Sequence, residues 1–242
     1  RKTATTGSNR LLEMDIAQRI DNIRQRMTDA AHAAQRSPET VKLVCVSKTV
    51  AAERIREAAA AGATRLGENY VQEARDKINA LADLELNWHF IGHLQTNKAK
   101  YVVRMFDLIH SVDSMRLADE IDKQAAKVPK VQRALVQVNV AGEESKAGIE
   151  TEQAAALVAH IDGLDHLNCE GLMTMPPYFD QPERVRPYFR QLRQLLAALN
   201  VQRDPNRQLY ELSMGMTGDF EAAIAEGATL VRIGTAIFGE RQ

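Results

Sequence analysis

Cysteine is nearly absent: the 242 residues include only Cys45 and Cys169. Both lie inside apolar runs and no CxxC spacing occurs. A disulfide framework or structural zinc site is therefore not expected, and a reducing, cytoplasmic home is. An excess of either charge is also missing. Thirty-one Lys and Arg against 32 Asp and Glu leave a formal charge of −1. That excludes the basic footprint of a nucleic-acid binder and an electrostatic pull toward anionic membranes. No run approaches the roughly 20 apolar residues of a membrane span. What is present, 45% apolar and 26% charged residues, is ordinary for a globular domain and excludes global disorder. Residues 1–13 lack the apolar core of a secretory signal and read as a flexible tail or expression leftover. Residues 14–242 read as one domain.

Ile16, Ile20, Ile23, Met27, Ala30 and Ala34 mark one face of a helix that should end at Ser37-Pro38. A regular alternation follows. Strands are predicted at Val41–Ser47, Thr64–Gly67, Trp88–Ile91, Leu108–Ser111, Arg133–Val140, His166–Met173, Gln208–Ser213 and Leu230–Ile233. Each is followed by a helix or by the chain end. Strands separated by helices run parallel. Eight such units predict a closed (β/α)₈ TIM-like barrel with an extra N-terminal helix. An open doubly wound sheet is the alternative, but it would place a glycine-rich fingerprint after the first strand, and Ser47-Lys48-Thr49-Val50 is not one.

In such a barrel, ligands sit at the C-terminal ends of the strands. Lys48 follows the apolar run VCVS directly. Desolvation there would favour a neutral amine, the nucleophile of Schiff-base chemistry, although a surface lysine at a strand end would read the same way. After strand seven, Ser213-Met214-Gly215-Met216-Thr217-Gly218-Asp219 offers hydroxyls, glycines and a helix start to an anion. After strand eight, Gly234 and Thr235 add a second such loop. Tight turns would explain the glycines but not the hydroxyls. An amine at one end and a phosphate cup at the other suit pyridoxal phosphate. They suit a phosphorylated sugar in a Schiff-base aldolase almost as well.

Several longer blocks are more specific. VSKT (Val46–Thr49), GENYVQE (Gly67–Glu73), WHFIGHLQTNK (Trp88–Lys98), GLMTM (Gly171–Met175), LSMGMTGDFEAAI (Leu212–Ile224) and VRIGTAIFG (Val231–Gly239) occur in this order. With them the chain resembles the pyridoxal phosphate homeostasis protein family from about Met14 onward. Thr217 stands where the family most often has serine, which keeps the hydroxyl. The resemblance implies a barrel similar to the N-terminal domain of alanine racemases, with pyridoxal phosphate held as a Schiff base on Lys48. It further implies phosphate contacts from Ser213, Gly234 and Thr235, Arg232 against the pyridine nitrogen, and Asn69 and His93 bordering the pocket.

A guanidinium opposite the ring nitrogen keeps that nitrogen unprotonated and the ring a weak electron sink. The racemase relatives supply a second base, a tyrosine from a separate C-terminal domain, and this chain ends at Gln242. The expected function is therefore cofactor buffering and delivery without efficient catalysis. An amino-acid racemase or decarboxylase is the alternative. Enzymes that require the cofactor are candidate partners, and a monomer is expected. Arg232 is taken as a rim residue whose replacement would spare the fold.

Other polar residues have plainer readings. His89, His93 and His110 lack the further ligands a zinc site needs. Glu68 either orients Lys48 or accepts from backbone groups. Lys146 reads as part of a solvated loop, Tyr178 and Phe179 as loop packing or a lid, and Arg184, Arg186, Arg190 and Arg193 as a solvated helix face.

Overall fold

The computed structural model describes residues 14–143, 147–201 and 203–240. The expected tail at 1–13 and Lys146 lie outside these. Helix α1 (Ile16–Ala33) opens on a capping box, in which Asp15 accepts from the Gln18 N–H at 2.8 Å and the Gln18 side chain accepts from the Asp15 N–H at 3.2 Å. Ile16, Ile20, Ile23, Met27 and Ala31 form its buried face. The helix stops short of Ser37-Pro38. Gln35 turns left-handed at φ 56°, and the Arg36 N–H closes back onto the Ala31 carbonyl at 2.9 Å.

The alternation then runs β1 (Lys42–Val46), α2 (Ala52–Ala60), β2 (Arg65–Glu68), α3 (Val71–Ala80), β3 (Asn87–Phe90), α4 (Ala99–Met105), β4 (Leu108–Val112) and α5 (Met115–Ala125). It continues with β5 (Gln132–Asn139), α6 (Ala154–Asp162), β6 (Leu167–Met173), α7 (Arg186–Asn200), β7 (Glu211–Ser213), α8 (Phe220–Ala225), β8 (Leu230–Ile233) and α9 (Thr235–Phe238). The strands are parallel in the order β4-β3-β2-β1-β8-β7-β6-β5, and a β4–β5 pairing closes the barrel. The short α9 and a two-residue strand, Ile149–Glu150, beside β5 were not foreseen. Both are too short to carry a periodic pattern.

Val44, Leu108, Leu135, Met173 and Leu230 come from five strands and pack on one another, apart from the main core. They can meet only inside the barrel, so they fix which alternate residues face inward. Their strand neighbours Cys45, Ile109, Ala134, Leu172 and Val231 belong to the larger core between barrel and helices. Both cysteines are buried there, and burial pushes each thiol up to about 12.

The arginines of α7 are not simply a solvated face. Arg186, Arg190 and Arg193 turn onto the buried Glu226 just beyond α8, at 3.0, 2.8 and 3.6 Å. The acid that answers them comes from another element, so spacing along α7 does not reveal it.

Candidate functional site

Two-residue steps along each strand carry the inward face from Val44 to Val46 and Lys48, from Leu108 to His110, and from Leu230 to Arg232 and Gly234. Four side chains on this face form a hydrogen-bonded line across the barrel. Arg232 Nη1 donates to Ser213 Oγ at 2.5 Å, and Nη2 donates to the Thr174 carbonyl at 2.9 Å. Ser213 Oγ lies 2.8 Å from His110 Nδ1, and His110 Nε2 lies 2.9 Å from His89 Nδ1. All four residues are buried.

The direction of this line follows from its first member, because a guanidinium only donates. Ser213 accepts from Arg232 and donates its own O–H to His110 Nδ1. His110 then donates from Nε2 to His89 Nδ1, an assignment made from the network. Both imidazoles must be neutral for this arrangement. Burial, helped by the Arg65, Arg133 and Lys42 charges, drives His89 down to about 3, and burial holds His110 well below its ordinary value. Burial also lowers Arg232 to about 10, which leaves it a cation at neutral pH.

Arg232 is thus a core residue, 4% exposed, and not the rim residue expected. Ser213 is fully buried as well, with its hydroxyl engaged by Arg232 and His110.

Lys48 is half-buried in the turn that follows β1. A Cβ on Gly234 would come within 3.3 Å of both the Val46 Cβ and its carbonyl oxygen, so the exits of β1 and β8 touch. Thr235 opens α9 and is exposed. As first-turn groups, the N–H of Thr235 and Ala236 have no acceptor within the helix. Between β7 and α8, Gly215 has φ +90°, and a Cβ there would lie 2.5 Å from that of Ala223, so only glycine fits. Its carbonyl accepts from the Arg232 N–H at 3.0 Å, which ties the loop to β8. Thr217, beyond that turn, is partly exposed.

Asn69 and His93 lie on a different wall. They line a cavity of about 720 Å³ with Tyr70, Arg75, Lys98 and Tyr101, and the other five expected site residues are not part of its lining. Asn69 Oδ1 is buried and has no hydrogen-bond partner among the described residues. His93 is exposed, with Nδ1 at 3.8 Å from Asp113 Oδ2. Glu68 accepts from Ser47 Oγ at 2.6 Å and Lys77 Nζ at 2.8 Å. Phe179 stacks on Tyr188 at 5.8 Å, whereas Tyr178 is exposed.

His89 and His110, expected as satisfied polar residues at the barrel rim rather than metal ligands, are satisfied but lie buried inside the barrel, and no role was expected for Lys77. The inward parity of His89, His110, Ser213 and Arg232 was a usable signal, because polar residues on an apolar inner face must answer one another.

A closed parallel barrel with a lysine at the end of β1 and a buried arginine in β8 defines an alanine-racemase type of domain. Residues 19–242 match the family model described as alanine racemase, N-terminal domain. The pyridoxal phosphate homeostasis protein of Aquifex aeolicus is 50% identical over 229 residues, covering 95% of this chain and 100% of that protein. Among solved structures, PipY of Synechococcus elongatus with pyridoxal phosphate bound superposes with a TM-score of 0.81 at 38% identity, covering 93% of this chain and 100% of that one. A protein from Bifidobacterium adolescentis gives 0.86 at 34% identity, covering 98% of each chain. The chain belongs to the pyridoxal phosphate homeostasis protein family. Among the described residues, no helix is long and apolar enough to cross a membrane.

Proposed function

We propose that this protein binds pyridoxal 5'-phosphate at the barrel mouth, linked covalently to Lys48. It buffers the cofactor and delivers it to enzymes that require it, without efficient catalysis of its own. Residues 14–242 act as one binding unit, as a monomer in the cytoplasm. One observation carries the reading: Arg232 is a buried cation whose charge Asp219 supports through space, with no direct ion pair to a carboxylate found among the described residues. A buried charge is costly unless something answers it. Ser213 and Thr174 take two of its five N–H donors. The remaining donors suit a neutral acceptor such as a pyridine nitrogen.

The residues present fit the cofactor on chemical grounds. Lys48 supplies the amine. Gly234 lets the exits of β1 and β8 meet closely, since a Cβ there would crowd Val46. The hydroxyls of Thr217 and Thr235 and the first N–H groups of α9 supply donors for a phosphate. Ser213 serves through Arg232, as the acceptor that aims the guanidinium. Asn69 and His93 border the entrance.

When bound, the cofactor supplies an aldehyde carbon that condenses with the lysine amine and releases one water. Arg232 keeps the ring nitrogen unprotonated. Carbanion chemistry on a bound amino acid is then weakly supported, which favours a carrier over a racemase. The names of the homologues and the pyridoxal phosphate bound to PipY support the same reading.

The test is the absorption spectrum of the purified protein before and after borohydride. A near-visible band should be present, should collapse on reduction with the label fixed at Lys48, and should be missing in Lys48→Ala. A band that survives in that variant overturns the assignment. Turnover of an amino acid at ordinary enzyme rates overturns the carrier reading.

A further inference from the structure

The two neighbours of Lys48 are held by a cluster that lies outside the barrel's inner face. Lys77, from α3 and 7% exposed, points Nζ at three acceptors: the Ser47 carbonyl at 2.6 Å, Glu68 Oε1 at 2.8 Å and Glu73 Oε1 at 2.5 Å. An ammonium has three N–H donors, so this one is saturated. Ser47 Oγ donates to the same Glu68 oxygen at 2.6 Å. On the other side of Lys48, the Thr49 N–H donates to Glu73 Oε1. Thr49 has φ 63°, a left-handed conformation that is a true outlier for a β-branched residue. Such a conformation persists only where its surroundings impose it.

We propose that Lys77, Glu68 and Glu73 are positioning residues for Lys48, gripping the Ser47 carbonyl and the Thr49 amide so that the lysine leaves β1 toward the barrel mouth. This rests on the reading that Lys48 holds pyridoxal phosphate. The strained Thr49 is the part that needs holding. Released from Glu73, it relaxes to negative φ and swings the Lys48–Thr49 peptide, and the amine moves with it.

The experiment is a double-mutant cycle between Glu73→Ala and Thr49→Gly, read by titrating the near-visible band with pyridoxal phosphate. Circular dichroism serves as the fold control. Glycine takes positive φ without strain, so it should make the grip dispensable. Glu73→Ala alone is expected to weaken binding about tenfold. The same change in the Thr49→Gly background is expected to weaken it by less than about threefold.

Equal losses in both backgrounds, or no loss in either, overturn the proposal. Rescue by glycine is the outcome a merely structural Glu73 would not give. Lys77→Met removes all three bonds at once and should weaken binding at least as much as Glu73→Ala. If that variant fails to fold, the half-exposed Glu73 still decides the matter. Lys48→Ala separates the two levels: a band retained there sinks the cofactor assignment, whereas a band lost there but unaffected by Glu73→Ala sinks only the grip.

Discussion

Arg232 and Ser213 meet inside the barrel, with Nη1 of the arginine donating to the serine Oγ at 2.5 Å. The contact limits what the serine can do. Its oxygen accepts from a group that never accepts, and its proton goes to His110 Nδ1 at 2.8 Å. No donor remains on that hydroxyl for an anion. On the proposed function, Ser213 aims the guanidinium, and Thr217 and Thr235 are the hydroxyls proposed to face the phosphate.

Pyridoxal, which lacks the phosphate, separates these roles. Ser213→Ala should weaken binding of pyridoxal and of pyridoxal phosphate by the same factor, about tenfold, the worth of one charge-assisted hydrogen bond. Thr217→Ala should weaken pyridoxal phosphate alone. Titration of the near-visible band with each vitamer gives the comparison. A Ser213→Ala loss confined to the phosphorylated form would return the serine to the phosphate.

The barrel was legible because each strand is a short apolar run closed by a helix with its own period, and parallel pairing follows from that order alone. Lys48 and Gly234 were legible because they stand one step beyond such runs. The line from Arg232 to His89 was not read. Its members are 143 positions apart from end to end, and only barrel closure brings β3, β4, β7 and β8 into register. The grip on Lys48 was hidden for a related reason. Lys77 flanks the buried stripe of its helix, three residues after Ala74, but nothing in that spacing names the acceptors on β1 and β2 that bury its ammonium. Glu226 escaped notice in the same way, since its three arginines belong to a different helix.

Glu226 provides a stability test away from the site. Its side chain is 3% exposed and faces Arg186, Arg190 and Arg193. Glu226→Gln keeps the shape but leaves three cations crowded around a neutral amide. Removing one partner from a buried ion pair costs about 3 kcal/mol, and the half-exposed arginines here reduce that to about 2 kcal/mol. Urea denaturation should show the loss, and added salt should recover part of it by screening the repulsion. An unchanged midpoint would mean that the arginines turn to solvent without cost.

Arg232→Gln asks how much the buried charge matters. The amide can still donate once to Ser213 or Thr174, and the desolvation cost of a cation disappears. The two effects oppose each other, so stability without cofactor should change by less than about 2 kcal/mol. Binding should fall at least about tenfold, because the donor to the ring is lost. A variant that unfolds would show the guanidinium to be chiefly a core element. One that binds pyridoxal phosphate normally would remove it from the site.

The two buried imidazoles make stability fall on mild acidification. His89 has its pKa depressed to about 3 by burial, and His110 is depressed in the same direction. In the unfolded chain each titrates near 6.5. Below that pH the unfolded state binds protons that the fold refuses, so stability is fully present above about 6.5 and is lost as pH falls toward the folded value. Between pH 7.5 and 5.0 His89, depressed to about 3, should remove about 2 kcal/mol, and His110 adds to the loss in the same direction. Glu68, Asp113 and Asp219 act in the opposite sense, since burial raises their values and the fold takes up protons there. The comparison that isolates the effect is His89→Phe. The variant loses the bond to His110, a constant offset, and also one titrating group, which changes the slope. Urea denaturation at four pH values across this window should give a stability–pH line for the variant that is flatter by about 2 kcal/mol. Parallel lines would mean that His89 is protonated in the folded protein, and the line of neutral imidazoles behind Arg232 would be wrong.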